Sequence, residues 1–326
     1  MKVKASAPGK VILFGEHSVV YRGPAIVLAI DKKVTALAEA RKDDELRIEA
    51  PPIRVSGVFK GAVYRPIIGG PEGANQLKPI VSVIRSLQER SGRKTGVDLS
   101  ITSELPIAVG LGSSAATAVA TVAAVNEICE AGLAFDEISH LAFEAEKIVH
   151  GTPSGIDNTI SCYGGGLVYD RERGIERLDT LEDFPLIIGN TGRCRSTGKL
   201  VSRVREMRKK NTVLDSVIEA ISKVAQLGKD ALLERDYQRV GQLMNINHGL
   251  LWALGVSSRQ LDQLVNAALG AGALGAKLTG AGGGGCMIAL PRPTGIDIVS
   301  KALERESGNP FIARISKSGV SVSKED

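Results

Sequence analysis

The chain has 326 residues, 43% of them hydrophobic and 24% charged, which is the balance of a globular protein with sizeable cores and excludes a disordered chain. Aromatic residues make up only 4%, so aliphatic side chains and alanine must fill those cores. The formal net charge of +5 suits an anionic ligand such as a nucleotide, and the basic residues are scattered, with the densest cluster at Arg208 to Lys210, so no nucleic-acid-binding run stands out.

The amino-terminal stretch MKVKASAPGKVILFGEH has a short apolar run, VILF, too short for the core of a signal peptide. No apolar stretch approaches the ~20 residues of a membrane helix. A soluble, cytoplasmic protein without membrane or nucleic-acid partners is expected, with a homodimer left open. Val11 to Phe14, Ala25 to Ile30, Thr35 to Ala40 and Leu46 to Ala50 read as strands, with RKDDE as the turn between the last two. Pro51 to Gly73 is rich in Gly and Pro and reads as loop and edge strand. A helix follows over Asn75 to Glu89, then a strand over Val97 to Ile101.

Ala115 to Ala131 is an alanine-rich helix of high intrinsic propensity, ended by Gly132. Phe135 to His150 is a second helix, with Ile138, Leu141, Ala142, Ala145 and Val149 at helical spacing and Gly151 as its stop. Gly164 to Tyr169 returns to strand. From Phe184 the rhythm changes: FPLIIGN reads as a strand, then comes a basic polar loop, then several helices between Lys199 and Leu269. Cys286 to Leu290 and Phe311 to Ile315 read as strands around a helix near Ile296 to Arg305. The class is α+β, with a boundary near Arg171 to Asp183 and units of 1–182 and 183–326.

Two glycine tracts carry chemical interest. In PIAVGLGSSAA, the residues Pro106, Ile107, Ala108, Val109, Gly110, Leu111, Gly112, Ser113, Ser114, Ala115 and Ala116 run from a glycine turn into the alanine-rich helix. Glycines allow close approach of an anion, and the N–H groups of a first helical turn favour phosphate. The plain alternative is a glycine turn with a serine N-cap. GxxxxGK[ST] is absent, which excludes a standard P-loop, and Gly110 to Ala115 match GxGxxA without the acidic strand end a dinucleotide site needs. The second tract, LTGAGGGGC from Leu278 to Cys286, also contains GxGxxG but leads into a strand, the wrong order for that site. Its density of glycine points to close backbone packing against a ligand or the first loop. The cysteines, Cys129, Cys162, Cys194 and Cys286, lack metal-site spacing and read as reduced thiols, and the histidines are far apart.

Three segments, APGKVILFGEHSVVY at Ala7 to Tyr21, PIAVGLGSSAA and KLTGAGGGGC at Lys277 to Cys286, together resemble the GHMP family, the galactokinase, homoserine kinase, mevalonate kinase and phosphomevalonate kinase group. The resemblance spans nearly the whole chain. It implies a two-domain fold, an amino-terminal ribosomal-protein-S5-domain-2-like domain and a carboxy-terminal ferredoxin-like α/β sandwich. It also implies an ATP-dependent kinase of a small molecule. HGTPSGIDN at His150 to Asn158 and TGRCRSTGKLV at Thr191 to Val201 resemble the members that phosphorylate the C5 hydroxyl of mevalonate in isoprenoid biosynthesis. Arg22, between Tyr21 and Gly23, departs from the family pattern and shifts a turn.

The resemblance implies roles for single residues. Asp157 would be the base that accepts the hydroxyl proton, against its plain reading as a turn or cap carboxylate. Lys10 would sit beside Asp157 and the γ-phosphate, where a cation stabilises the transferred charge. Magnesium would take Ser114 and Glu146; a helical wheel places Glu144 and Glu146 on opposite flanks of the apolar stripe, and the family pattern favours Glu146. Glu16 and His17 would meet substrate hydroxyls or carboxylate. Arg195, beside Arg193 and assisted by Ser196 and Thr197, would pair with the acceptor carboxylate. Alternatives are another GHMP small-molecule kinase or a basic nucleic-acid-binding protein.

Overall fold

The chain opens with two long antiparallel strands, β1 (Lys2–Phe14) and β2 (Ala25–Ala40). Val3, Ala5 and Ala7 in β1, and Val34, Ala36 and Ala38 in β2, are buried at alternate positions, as a sheet with one covered face requires. From Ala7 in β1, and up to Ile30 in β2, nearly every residue is buried. Of the runs that the sequence predicts as strands, Val11 to Phe14 and Ala25 to Ile30 are the doubly covered parts of these longer elements, and Thr35 to Ala40 is the alternating part of β2. This computed structural model describes every residue except 22, 107–108, 151–152, 179–182, 194–196 and 326, so Arg22 lies outside the described residues.

β3 (Leu46–Ala50) is followed by a hairpin of β4 (Val55–Lys60) and β5 (Val63–Ile68), where loop and edge strand were expected. β5 is the outer strand, which tolerates Pro66. α1 (Gly73–Ser91) leads to β6 (Val97–Ser103). Next come three helices: α2 (Ser113–Cys129), α3 (Phe135–His150) and α4 (Ile156–Tyr163). α2 is buried almost all round by alanine and valine, lying on β1 and β2 and touching α1, α3 and α4. It stops before Gly132, because Glu130 takes the left-handed conformation (φ 50°) and closes the helix. α4 was not foreseen: eight residues are too few to show a helical rhythm. β7 (Gly166–Asp170) and β8 (Gly174–Arg177) end this lobe, β7 pairing with the start of β2.

The second lobe runs β9 (Leu186–Asn190), α5 (Thr197–Lys210), α6 (Val213–Leu233), α7 (Tyr237–Ala253), α8 (Arg259–Gly270), β10 (Gly275–Leu278), β11 (Cys286–Leu290), α9 (Ile296–Arg305) and β12 (Phe311–Ala313). Its sheet has the order β10-β11-β9-β12 with every pair antiparallel. That is the β-α-β-β-α-β arrangement of ferredoxin-like folds, with four helices in the first crossover. The final strand, β13 (Ser321–Glu325), returns to the first lobe and pairs with β1, giving the sheet order β13-β1-β2-β6-β3-β4-β5. Residues 183–326 therefore end in the sheet of the other unit. Among the described residues no helix is long and apolar enough to cross a membrane.

The lobes meet at the end of β1. The Phe14 ring is fully buried against Gly228 of α6, where a Cβ would lie 2.5 Å from the ring. In an exposed helix Gly→Ala gains about 1 kcal/mol of propensity. Here a rigid ring in a filled core opposes it, at a cost of roughly 1–3 kcal/mol. Gly228→Ala should therefore lower the urea midpoint; a stabilised variant would show that the seam has slack.

Candidate active site

β1 carries the first candidate residue, Lys10. Its register against β2 shifts between Pro8 and Gly9, and the loop before α2 lies directly over that point. The Lys10 N–H donates to Leu111 O at 2.9 Å. A Cβ on Gly9 would come within 2.9 Å of Leu111 O, and one on Gly112 within 2.8 Å of Lys10 Cγ. Gly110 (φ 88°) and Gly112 (φ 76°) both need the left-handed region. The glycines thus let the loop and the lysine cross each other. Gly112, with no side chain, is the cap of α2, and Ser113 and Ser114 lie inside its first turn, so the serine N-cap alternative is not what forms. Within the loop, Pro106, Val109 and Leu111 are buried or half-buried and flank the glycines, Ala115 and Ala116 are buried in the helix, and Ile107 and Ala108 lie outside the described residues.

Three helices and β1 bring the predicted catalytic groups together. Lys10, 6% exposed, places Nζ 3.1 Å from Asp157 Oδ1, in the first turn of α4. The Asp157 side chain is 38% exposed, so the pair has one buried and one open member. On α2, Ser114 Oγ donates to Glu146 Oε1 of α3. Glu146 is 4% exposed. Glu144 faces outward and pairs with Lys147 at 2.6 Å. The wheel left these two glutamates equal; the packing of α3 on α2 separates them.

The GEH turn is tied to the second lobe. Glu16 and Lys277 are both fully buried and form an ion pair. Asn247 Nδ2 of α7 donates to Glu16 Oε2 at 3.3 Å, and Lys277 Nζ also donates to Leu278 O at 2.7 Å. Burial pushes the Glu16 carboxyl up and the Lys277 ammonium down, while their mutual attraction opposes both shifts. His17 sits at φ 62°, and its Nε2 donates to Ala281 O at 2.9 Å. Thr279 Oγ1 accepts from Ile12 N–H at 3.0 Å and donates to Ile12 O at 2.9 Å, standing in for a strand neighbour. The carboxylate expected to meet substrate hydroxyls is therefore held inside the protein.

The second glycine tract packs on its own lobe. A Cβ on Gly282 would lie 2.0 Å from Val256 O, and one on Gly283 would lie 2.9 Å from Leu200. At these glycines the nearest atoms belong to the second lobe and not to the first loop, one of the two expected partners beside a ligand. Thr191 N–H and Oγ1 both donate to Gly285 O, at 2.9 and 2.8 Å, and Gly285 N–H donates to Arg193 O at 3.0 Å. The basic loop thus runs beside the tract; Arg195 and Ser196 lie outside the described residues, and Thr197 opens α5.

Lys277, Thr279, Asn247 and His248 were given no role from sequence. The signal for Asn247 and His248 is the set of polar residues Asn245, Asn247 and His248 in α7, with Asn247 on the buried face of Val240, Met244 and Leu251. Asn245 accepts from Ala276 N–H at 2.9 Å, and His248 Nδ1 accepts from Leu278 N–H at 3.4 Å. His248 Nε2 then faces Asp262 Oδ1 at 3.4 Å. Beside Pro106 a cavity of about 480 Å³ opens, lined by Pro51, Pro52, Thr102, Ser103, Leu105 and Pro106.

Residues 78–166 match the family model described as GHMP kinases N terminal domain, and residues 229–309 match GHMP kinases C terminal. The chain belongs to the GHMP kinase family. It is 43% identical to the mevalonate kinase of Pyrococcus furiosus over 99% of this chain and 98% of that one. The structure is similar to that of L. major mevalonate kinase in complex with R-mevalonate, with a TM-score of 0.82, 30% identity and coverage of 97% and 96% of the two chains. It is also similar to Methanococcus jannaschii mevalonate kinase, with a TM-score of 0.81, 29% identity and coverage of 97% and 98%.

Two predictions concern the seam of this GHMP kinase. Glu16→Gln or Lys277→Met alone strands a buried charge and should cost about 3–5 kcal/mol, whereas the double variant should recover most of it. Denaturant titration of the four proteins measures this, and additive losses would mean that the two side chains do not act as a pair. For His248, burial pushes the imidazole below its ordinary value of 6.5, and Asp262 opposes the shift. The unfolded chain then binds the proton better. His248 leaves stability intact above about pH 6.5 and subtracts from it as the pH falls below that value. His248→Gln, which can keep both hydrogen bonds, should flatten the loss of stability between about pH 7 and pH 5.5; an unchanged slope would refute this.

Proposed function

We propose that this kinase transfers the γ-phosphate of ATP to the C5 hydroxyl of mevalonate, giving 5-phosphomevalonate and ADP. The observation that carries the chemistry is the contact of Lys10 with Asp157 at 3.1 Å, beside the glycine loop and the first turn of α2. Phosphoryl transfer requires mainly positioning and charge neutralisation. The Asp157 carboxylate accepts the proton of the attacking hydroxyl, and Lys10, held by the loop it crosses, stabilises charge on the transferred group. Backbone N–H groups at the start of α2 bind phosphate oxygens. The cavity beside Pro106 suits the nucleotide base, with apolar walls and two hydroxyl residues, Thr102 and Ser103. The acceptor specificity follows that of the relatives named above, and Arg195, with Arg193, is assigned to the acceptor carboxylate. His17 lines the acceptor side, and Glu16 holds that turn from behind.

Ser114 and Glu146 offer a hydroxyl and a nearly buried carboxylate within hydrogen-bond reach of each other. Such oxygen donors fit magnesium, which keeps most of its shell for water and phosphate and needs few protein ligands. When bound, the ion neutralises phosphate charge.

Asp157→Asn should lower turnover by about 10²–10⁴-fold and leave ATP affinity unchanged. ADP release assayed over mevalonate, phosphomevalonate and homoserine tests the acceptor. Turnover with homoserine and none with mevalonate would overturn the substrate, and near-normal turnover of the Asp157 variant would overturn the base.

A further inference from the structure

Asn158 follows Asp157 directly and is itself only 4% exposed. Its Nδ2 donates to Ser139 O and to Ser139 Oγ, both at 3.0 Å. Ser139 lies on α3, and Glu146 follows it seven residues later, two turns along the same face. One amide therefore ties the helix that carries Asp157 to the helix that carries Glu146.

The far end of α4 has its own ties, from Cys162 Sγ to Phe135 O at 3.3 Å, from the Tyr163 hydroxyl to Asp136 and from Val320 N–H to Cys162 O at 3.1 Å; the Asn158 amide is the tie to α3 at the end that carries Asp157. α4 spans eight residues, a length that is unstable as a helix without packing. Its cap is Gly155 in the left-handed region (φ 83°), with no side-chain cap bond. Ile156 and Ile160 bury against Ala25, Val27, Ala29 and Leu167, which holds α4 down. Apolar contact is non-directional and leaves rotation about the helix axis loosely defined. The two bonds to Ser139 are directional and fix the first turn of α4, and Asp157 is one residue away.

We propose that Asn158 is a positioning residue for phosphoryl transfer: by pinning α4 to α3 through Ser139, it aims the Asp157 carboxylate relative to Lys10 and to the Ser114–Glu146 pair. This rests on Asp157 being the base. A shift of about 1 Å at a reacting group costs up to ~10²-fold in rate, so loss of the tie acts on kcat and leaves the binding of ATP and of the acceptor alone.

The experiment measures kcat and both KM values for the parent, Asn158→Ala, Asp157→Asn and the double variant, well below their melting temperatures. Asn158→Ala should lower kcat about 10- to 100-fold with both KM values unchanged, and should cost nothing further in the Asp157→Asn background. A melting temperature lowered without any loss of kcat, or an equal loss in both backgrounds, overturns the proposal. If Asn158→Ala does not fold, Ser139→Ala replaces it: the carbonyl acceptor remains, so a smaller loss in kcat is expected, and unchanged kcat overturns the proposal. Retained turnover in Asp157→Asn defeats the base assignment and this proposal with it. Inactive Asp157→Asn with fully active Asn158→Ala defeats this proposal alone.

Discussion

A carboxylate and an ammonium, Glu16 and Lys277, meet without solvent at the junction of the two lobes, and the geometry of the site depends on that meeting. Removing two charges from water costs several kcal/mol per ion, and their attraction at best offsets it, so the pair is a poor source of stability. Its value is directional. Glu16 lies six residues after Lys10 on the same stretch of chain. Fixing it to β10 and α7 fixes the far end of the strand whose middle carries Lys10. The bonds of Thr279 to Ile12 and of His17 to Ala281 add to the same seam. The first lobe supplies Lys10, Ser114, Glu146 and Asp157, and the second supplies the rigid backing.

Local patterns announced most helices and the covered parts of strands. Phe135–His150 emerged with both ends right because a helical apolar rhythm lies between a turn and a glycine. The outer half of β1 did not show, since lysine and serine alternate with alanine there and mask the strand, whereas the outer half of β2 was read from Thr35 to Ala40. α4 and β13 are too short, or too polar, to betray themselves. The same division holds at the site. Lys10 and Asp157 could be paired only through a family pattern, because nothing within PGK or PSGIDN says that they meet. Glu146 was likewise chosen over Glu144 through the family pattern, and the helical wheel could not show that it is the one buried against α2. Lys277 was in plain view in the third motif, but a lysine reads as a surface residue until its burial is seen.

The two glycine-bearing tracts do different jobs. The first uses its glycines to let a lysine side chain cross a helix-capping loop. The second uses them for backbone contact with Val256 and for room beside Leu200. Glycine content alone signals a close approach, and the partner decides whether that approach serves a ligand or the fold.

The polar face of α7 has one more consequence. β10 ends its sheet, and a terminal strand offers a row of unpaired donors and acceptors on which another chain can nucleate. Asn245 takes Ala276 N–H and meets Leu274 O, and His248 takes Leu278 N–H. The helix thereby imitates a fifth strand with side chains alone. The lobe that backs the site is closed to intermolecular sheet growth on that side, and two polar residues of a helix do this, not charges on the strand.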